Sequence, residues 1–142
     1  MPEKKTLERA RKDKREGKAP STQAGEFVRE EIEHIREGKH GARSTKQAIA
    51  IGLAKARRAG VELPPSESAS EETKEQAKRD LRKAGKKPST KRSRASRKAL
   101  KKEGRSAASK EALSRQGRKA AKKRSKASRS RSAKKAAKTR KK

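Results

Sequence analysis

The 142-residue chain carries 47 Lys and Arg against 17 Asp and Glu, a formal charge of +30, with no Cys, Trp or Tyr and one Phe. At 26% apolar and 45% charged residues, buried apolar surface falls short of offsetting chain entropy, which disfavours a single globular domain and predicts a mostly disordered chain. The missing Cys excludes disulfides, thiolate nucleophiles and Cys-ligated zinc. No apolar run approaches the ~20 residues of a membrane helix, and the start, Met1-Pro2-Glu3-Lys4-Lys5, lacks the apolar stretch of a signal peptide.

The first 20 residues carry +4 and form a charged N-terminal arm. A helix from Thr6 to about Arg15 has only Leu7 and Ala10 as apolar residues and is expected to fray. Residues 21–63 read as a helical hairpin. Ala24, Phe27, Val28, Ile32 and Ile35 follow the spacing of one helical stripe, with Glu26, Arg29, Glu30, Glu33 and Glu37 opposite. Ser21 or Thr22 is the predicted cap and Gly38 the stop. After Lys39-His40-Gly41-Ala42-Arg43, Ser44 and Gln47 form a capping box for a second helix running from Thr45 to about Ala59, stopped by Gly60 and Pro64-Pro65.

Ile49, Gly52, Leu53 and Ala56 form one stripe of that second helix, while Ile51, Ala50 and Ala54 point elsewhere. The predicted core of the pair is Phe27, Val28, Ile32, Ile35, Ile49 and Leu53. The remaining apolar face needs a second copy, the strand-like Val61-Glu62-Leu63 or a downstream helix. Residues 21–63 are therefore a candidate homodimerisation unit, and Ala48, Gly52, Ala56 and Ala59 permit close backbone approach.

Residues 64–88 read as a linker holding one amphipathic helix. Ser68 and Glu71 form a capping box ahead of Ala77, Leu81 and Ala84, with Gly85 as the stop and Pro88 before the tail. Residues 1–80 sum to +4, whereas residues 81–142 hold 28 Lys and Arg and only two acids, Glu103 and Glu111. The large apolar side chains of that stretch are Leu81, Leu100 and Leu113, so residues 89–142 are expected to be a disordered Lys/Arg/Ala/Ser-rich tail without a core. Ser96–Lys102 and Ser109 to about Lys123 are expected to be transient helices.

This charge points to nucleic acid, DNA in preference to RNA, bound without sequence selectivity through counterion release. Representative binding residues are Arg92, Arg94, Arg97, Lys101, Lys102, Arg118, Lys119, Lys122, Lys123, Arg124, Lys134 and Lys135. With Phe27 in the core, no aromatic platform remains for stacking unpaired bases. A helix-turn-helix, for which Arg43, Lys46, Lys55, Arg57 and Arg58 are available, fits less well than an αα-hairpin. The acidic first helix would be repelled by phosphate, and the link from Gly38 to Arg43 is too long.

Glu30 and His34 share a face, but two ligands do not make a zinc site. No metal or cofactor is predicted, and His40 is placed in the loop as a solvated or phosphate-contacting group. The carboxylates lie on solvated faces and no phosphate-binding glycine loop is present, so no catalysis is expected.

The stretch STQAGEFVREEIEHIREGKHGARSTKQAIAIGLAKARRAGVELPP, Ser21 to Pro65, resembles a family of small, basic, uncharacterised bacterial proteins. ALKKEGRSAASKEALSRQ, Ala99 to Gln116, is similar to a second block of that family. The resemblance implies a generic DNA-binding label without assigned activity or functional residues. Lys98–Lys142 is similar in composition to the tails of linker histones and bacterial histone-like proteins, from which it departs in its Arg content and in having no Pro. Together these readings predict a nucleoid-associated, histone-like protein of the cytoplasm. The rival is an RNA-associated, ribosome-associated or stress-protective polycation.

Overall fold

A computed structural model describes residues 2–65, 69–87 and 89–140. Seven α-helices and one 3-10 turn account for 73% of the described residues, none of which lies in a strand. The expectation of a mostly disordered chain with a small hairpin and transient tail helices is therefore wrong. The physical reason is alanine. Among the described residues, eight of the twelve buried apolar ones are Ala (Ala10, Ala24, Ala42, Ala48, Ala56, Ala77, Ala107 and Ala108). Alanine is the best helix former and loses no side-chain entropy on burial, so a count of large apolar residues underestimates this core.

The contacts divide the chain into two compact units, Met1–Ser109 and Lys110–Lys142. In the first unit, α1 (Lys4–Arg15), α2 (Pro20–Arg36) and α3 (Thr45–Arg58) pack together. Ala10, Ala24, Phe27, Ala56 and Val61 form one buried cluster, flanked by Leu7, Leu53 and Leu63. The N-terminal segment is helical, and α1 has a cap borrowed from α2. It lacks a side-chain cap of its own, and the Glu3 amide donates to Glu30 Oε1 at 2.6 Å.

Helix α2 begins earlier than predicted, at Pro20, with no side-chain cap from Ser21 or Thr22. Proline at the first helical position needs no partner for a missing N–H and brings its φ preset. Helix α3 starts as expected. Ser44 Oγ accepts from the Gln47 amide at 3.1 Å, while Gln47 Oε1 takes the Arg43 amide at 2.6 Å. Gly17, Gly38, Gly60 and Gly85 all have positive φ and follow the ends of α1 to α4.

The α2–α3 contact is close because position 52 has no side chain. A Cβ there would sit 2.6 Å from Val28 Cα. The small-residue stripe thus serves packing within the chain. Of the predicted pair core, Phe27, Ile32 and Ile35 are buried, whereas Val28, Ile49 and Leu53 are half-buried.

Part of the apolar surface for which the sequence left a second copy as one option is covered internally, while Ala50 stays exposed and Ile51 and Ala54 half-buried. Val61 is buried in the main cluster. Helix α4 (Glu71–Arg82) packs on α3 with Ala77 and Asp80 buried. Its cap is Ser70, accepting from the Thr73 amide at 3.3 Å. The predicted cap Ser68 and the break at Pro88 lie outside the described residues.

The least expected element comes next. Helix α5 (Thr90–Lys101), capped by Ser89, has no buried residue, yet it leads into a segment that closes over the α2–α3 loop. The Gly41 and Ala42 amides donate to the Leu100 and Gly104 carbonyls at 2.8 and 3.1 Å. A Cβ on Gly41 would fall 2.0 Å from the Glu103 carbonyl oxygen, so only glycine fits there. The 3-10 turn Ser106–Ala108 then docks Ala107 and Ala108 onto α2 and α3. Arg36 Nε donates to the Ala108 carbonyl at 3.0 Å and Thr45 Oγ1 to the Ala107 carbonyl at 2.6 Å.

The second unit comprises α6 (Lys110–Lys123) and α7 (Lys126–Arg140), neither with a buried residue. Sequence reading found α6 but not α7, which lacks an apolar stripe. Ser125 Oγ accepts from the Ser128 amide at 3.1 Å and starts α7, and Ala, Lys and Arg are strong helix formers.

Candidate nucleic-acid interface and carboxylate–histidine cluster

The ion pairs among the described residues are confined to the first 80 positions. Every ion pair among the described residues uses an acid at or before Asp80 and a base at or before Lys74. Three of the five cations a helix-turn-helix reading would need on or near α3 are engaged within the fold. Lys55 pairs with Glu31. Arg57, 9% exposed, donates from Nε to the Leu63 carbonyl at 2.9 Å. Arg58 Nε lies 3.1 Å from Asp80 Oδ1. Burial lowers the pKa of Arg57, against the opposing charge of Asp80.

The twelve cations singled out from sequence are all exposed. Arg92, Arg94, Arg97 and Lys101 lie on α5 with Lys102 at its end. Arg118, Lys119, Lys122 and Lys123 lie on α6, and Lys134 and Lys135 on α7. Arg124, between those two helices, donates to Ser128 Oγ at 3.0 Å and to the Ser128 carbonyl at 3.1 Å. Helices α5, α6 and α7 carry these cations without an acidic partner among the described residues. A rigid helix spaces its cations at fixed intervals, which an extended chain does not.

In the first unit, beside the loop that Leu100 and Gly104 hold, lies a group for which the sequence reading expected no metal site. On α2, Glu30 and Glu31 are 3% and 1% exposed. Glu31 Oε1 meets the Lys55 ammonium, and its Oε2 stands 3.1 Å from His40 Nε2. His40 is not solvated: its side chain is 11% exposed and its Nδ1 lies 2.9 Å from the Gly41 carbonyl. His34 Nε2 lies 3.0 Å from Glu3 Oε1, and the two imidazole rings stand edge to face with centroids 6.0 Å apart.

Donor atoms of Glu31, His34 and His40 fall within 4.8 Å of one another, as do those of Glu3, Glu30 and His34. Glu30 Oε2 and Glu31 Oε2 are both buried without a hydrogen-bond partner among the described residues. The hydrogen bond from His34, aided by the Lys39 charge and opposed by desolvation, lowers the Glu3 pKa. The Glu37 hydrogen bond and charge raise that of Lys39, with a smaller contribution from Glu3.

The signal missed in the sequence was the i, i+3 relation of Glu31 and His34, which faces both residues the same way. His40 joins them because Gly38 turns the chain and the segment from Leu100 to Gly104 pins the loop.

Residues 4–67, which span α1 to α3, match a family of unknown function (DUF6496) over less than half of the chain. No curated protein and no solved structure matches it. No helix among the described residues is long and apolar enough to cross a membrane.

Proposed function

We propose that this chain binds duplex DNA without sequence selectivity, as a nucleoid-associated protein. The binding cations lie on α5 of the first unit and on α6 and α7 of the second. The observation that supports this reading best is the segregation of ion pairs. Residues 81–142 carry 28 bases and two acids, and the described bases among them have no internal ion pair to break before meeting phosphate. Each phosphate contact releases condensed counterions. About nine simultaneous contacts, a third of the available bases, give a log–log salt slope of roughly −8 on duplex DNA.

The helical form of these cations favours duplex DNA over RNA. An α-helix with its side chains is ~10–12 Å across and fits a major groove ~12 Å wide. The corresponding groove of A-form RNA is too narrow to admit side chains. Phe27 is 1% exposed and offers no stacking surface.

Competition tests the proposal. Full-length protein is titrated with labelled duplex DNA between about 50 and 200 mM salt, then challenged with unlabelled duplex DNA, structured RNA and anionic vesicles. Duplex DNA is expected to compete best, with affinity falling by ~10³- to 10⁵-fold across that range. Preference for RNA or lipid overturns the reading.

A further inference from the structure

We infer that Glu31, His34 and His40 form a binding site for one divalent transition-metal ion, zinc in the first instance. The argument starts with a proton count on His40. A carbonyl oxygen only accepts, so the 2.9 Å contact to Gly41 requires the proton to be on Nδ1. The neutral ring then presents the bare lone pair of Nε2 to Glu31 Oε2 at 3.1 Å. An ionised carboxylate is also acceptor-only. Two acceptors at this distance repel unless a cation offsets them; Lys55 contacts the other oxygen, Oε1, which leaves the gap between Oε2 and Nε2 to a second proton on His40 or to a metal ion. Glu31 Oε2 itself is fully buried and has no hydrogen-bond donor among the described residues.

Three further features favour the metal. His34 brings a second imidazole within 4.8 Å of these atoms. A proton shared by Glu31 and His40 has no use for this second imidazole, whereas a metal ion does. Two imidazoles and one carboxylate are a borderline donor set suited to zinc and its neighbours in the first transition row, unlike the all-oxygen sets of magnesium or calcium. The surroundings also resemble the outer shell of a metal centre, in which each ligating imidazole is oriented by a second hydrogen bond. The Gly41 carbonyl does this for His40, and the Glu3 carboxylate, 3.0 Å from His34 Nε2, holds the other ring. Three protein donors leave one position of a tetrahedral zinc ion for a further ligand.

Lys55 opposes the ion. Its ammonium contacts Glu31 Oε1 and repels a dication bound at Oε2. The site is therefore weaker than a dedicated structural zinc site, and its affinity is adjustable from α3. Metal binding would tie α2 to the loop that Leu100 and Gly104 hold in place.

The test uses full-length protein without a histidine tag and without nucleic acid, so it stands apart from the DNA-binding proposal. Titration with Co²⁺ is followed by its visible d–d absorption, Zn²⁺ is then added to displace it, and stoichiometry is read by equilibrium dialysis. Saturation at one ion per chain is expected, with about tenfold or greater weakening in His40→Ala and in Glu31→Gln. Lys55→Gln, which removes the competing charge, is expected to bind several-fold more tightly, a result that misfolding would not produce.

Three results overturn the assignment. One is no saturable Co²⁺ spectrum, as expected if a proton alone bridges His40 and Glu31. Another is undiminished binding by the His40→Ala, Glu31→Gln double variant, which would assign the ion to surface acids. The last is binding abolished by Glu3→Gln but unchanged by His40→Ala, which would move the site to Glu3, Glu30 and His34.

Discussion

The same substitution, Gly to Ala, is expected to act with opposite signs on the two helices that pack most extensively. At Gly52 in α3, a new Cβ would sit 2.6 Å from Val28 Cα and 2.9 Å from Val28 N. Carbon atoms pack comfortably at ~3.5–4.0 Å, so the helices must separate by roughly 1 Å. Two of the three encroached atoms are backbone, the third being Val28 Cγ2, and no rotamer change relieves those two, which puts the overpacking cost at the upper end of the ~1–3 kcal/mol range. Ala regains about 1 kcal/mol in helix propensity, leaving a net loss near 2 kcal/mol.

At Gly25 in α2 nothing lies within 4 Å of the new Cβ. Gly25→Ala should therefore gain about 0.5–1 kcal/mol. The two variants then differ by about 3 kcal/mol, or roughly 10 °C in Tm at about 4 °C per kcal/mol. Thermal and urea unfolding of the full chain, followed by circular dichroism at 222 nm, reads this difference directly. If Gly52→Ala unfolds at or above the temperature of Gly25→Ala, the close approach of α2 and α3 is wrong.

Three other predictions follow from particular contacts. Thr45→Val removes the hydroxyl that donates to the Ala107 carbonyl at 2.6 Å and should cost ~1–2 kcal/mol, read as a lower urea midpoint. Glu30→Ala takes away the carboxylate that caps the Glu3 amide and should cost ~1.5–3 kcal/mol. Faster amide exchange should appear first in α1. Replacing Arg118, Lys119, Lys122 and Lys123 of α6 with Gln should reduce the magnitude of the DNA salt slope by up to about 4 units. It should leave unfolding of the first unit unchanged, and an unaltered slope would remove α6 from the interface.

Much of α2 and α3 was legible in the sequence because their signals are local. The spacing of Phe27, Ile32 and Ile35, the Ser44 cap and the stops at Gly38 and Gly60 all act within a turn or two. What escaped depends on distant partners. The cap of α1 comes from Glu30, 27 residues from Glu3, and no window along the chain shows it. Residues 100–108 dock through main-chain carbonyls and two alanines, neither of which registers as hydrophobic patterning.

Charge was the most misleading signal. A net +30 suggests self-repulsion throughout, but the acids are placed where they pair with local bases, and the excess accumulates beyond them. His40 was misplaced for a related reason. A histidine between Gly and Lys in a polar link reads as solvated until the segment that covers the link is known.

Docking of Ala107 over Thr45 also has a consequence for synthesis. The two residues are 62 positions apart, so a ribosome adding about 5–20 residues per second makes the cover roughly 3 to 12 s after the groove it closes. A leucine-lined groove left open that long would invite aggregation of the nascent polypeptide. The face that residues 106–108 cover instead presents the Thr45 hydroxyl and the Arg36 guanidinium, which water can satisfy until the cover emerges, so the composition that conceals this contact from pattern reading also makes the delay during translation tolerable.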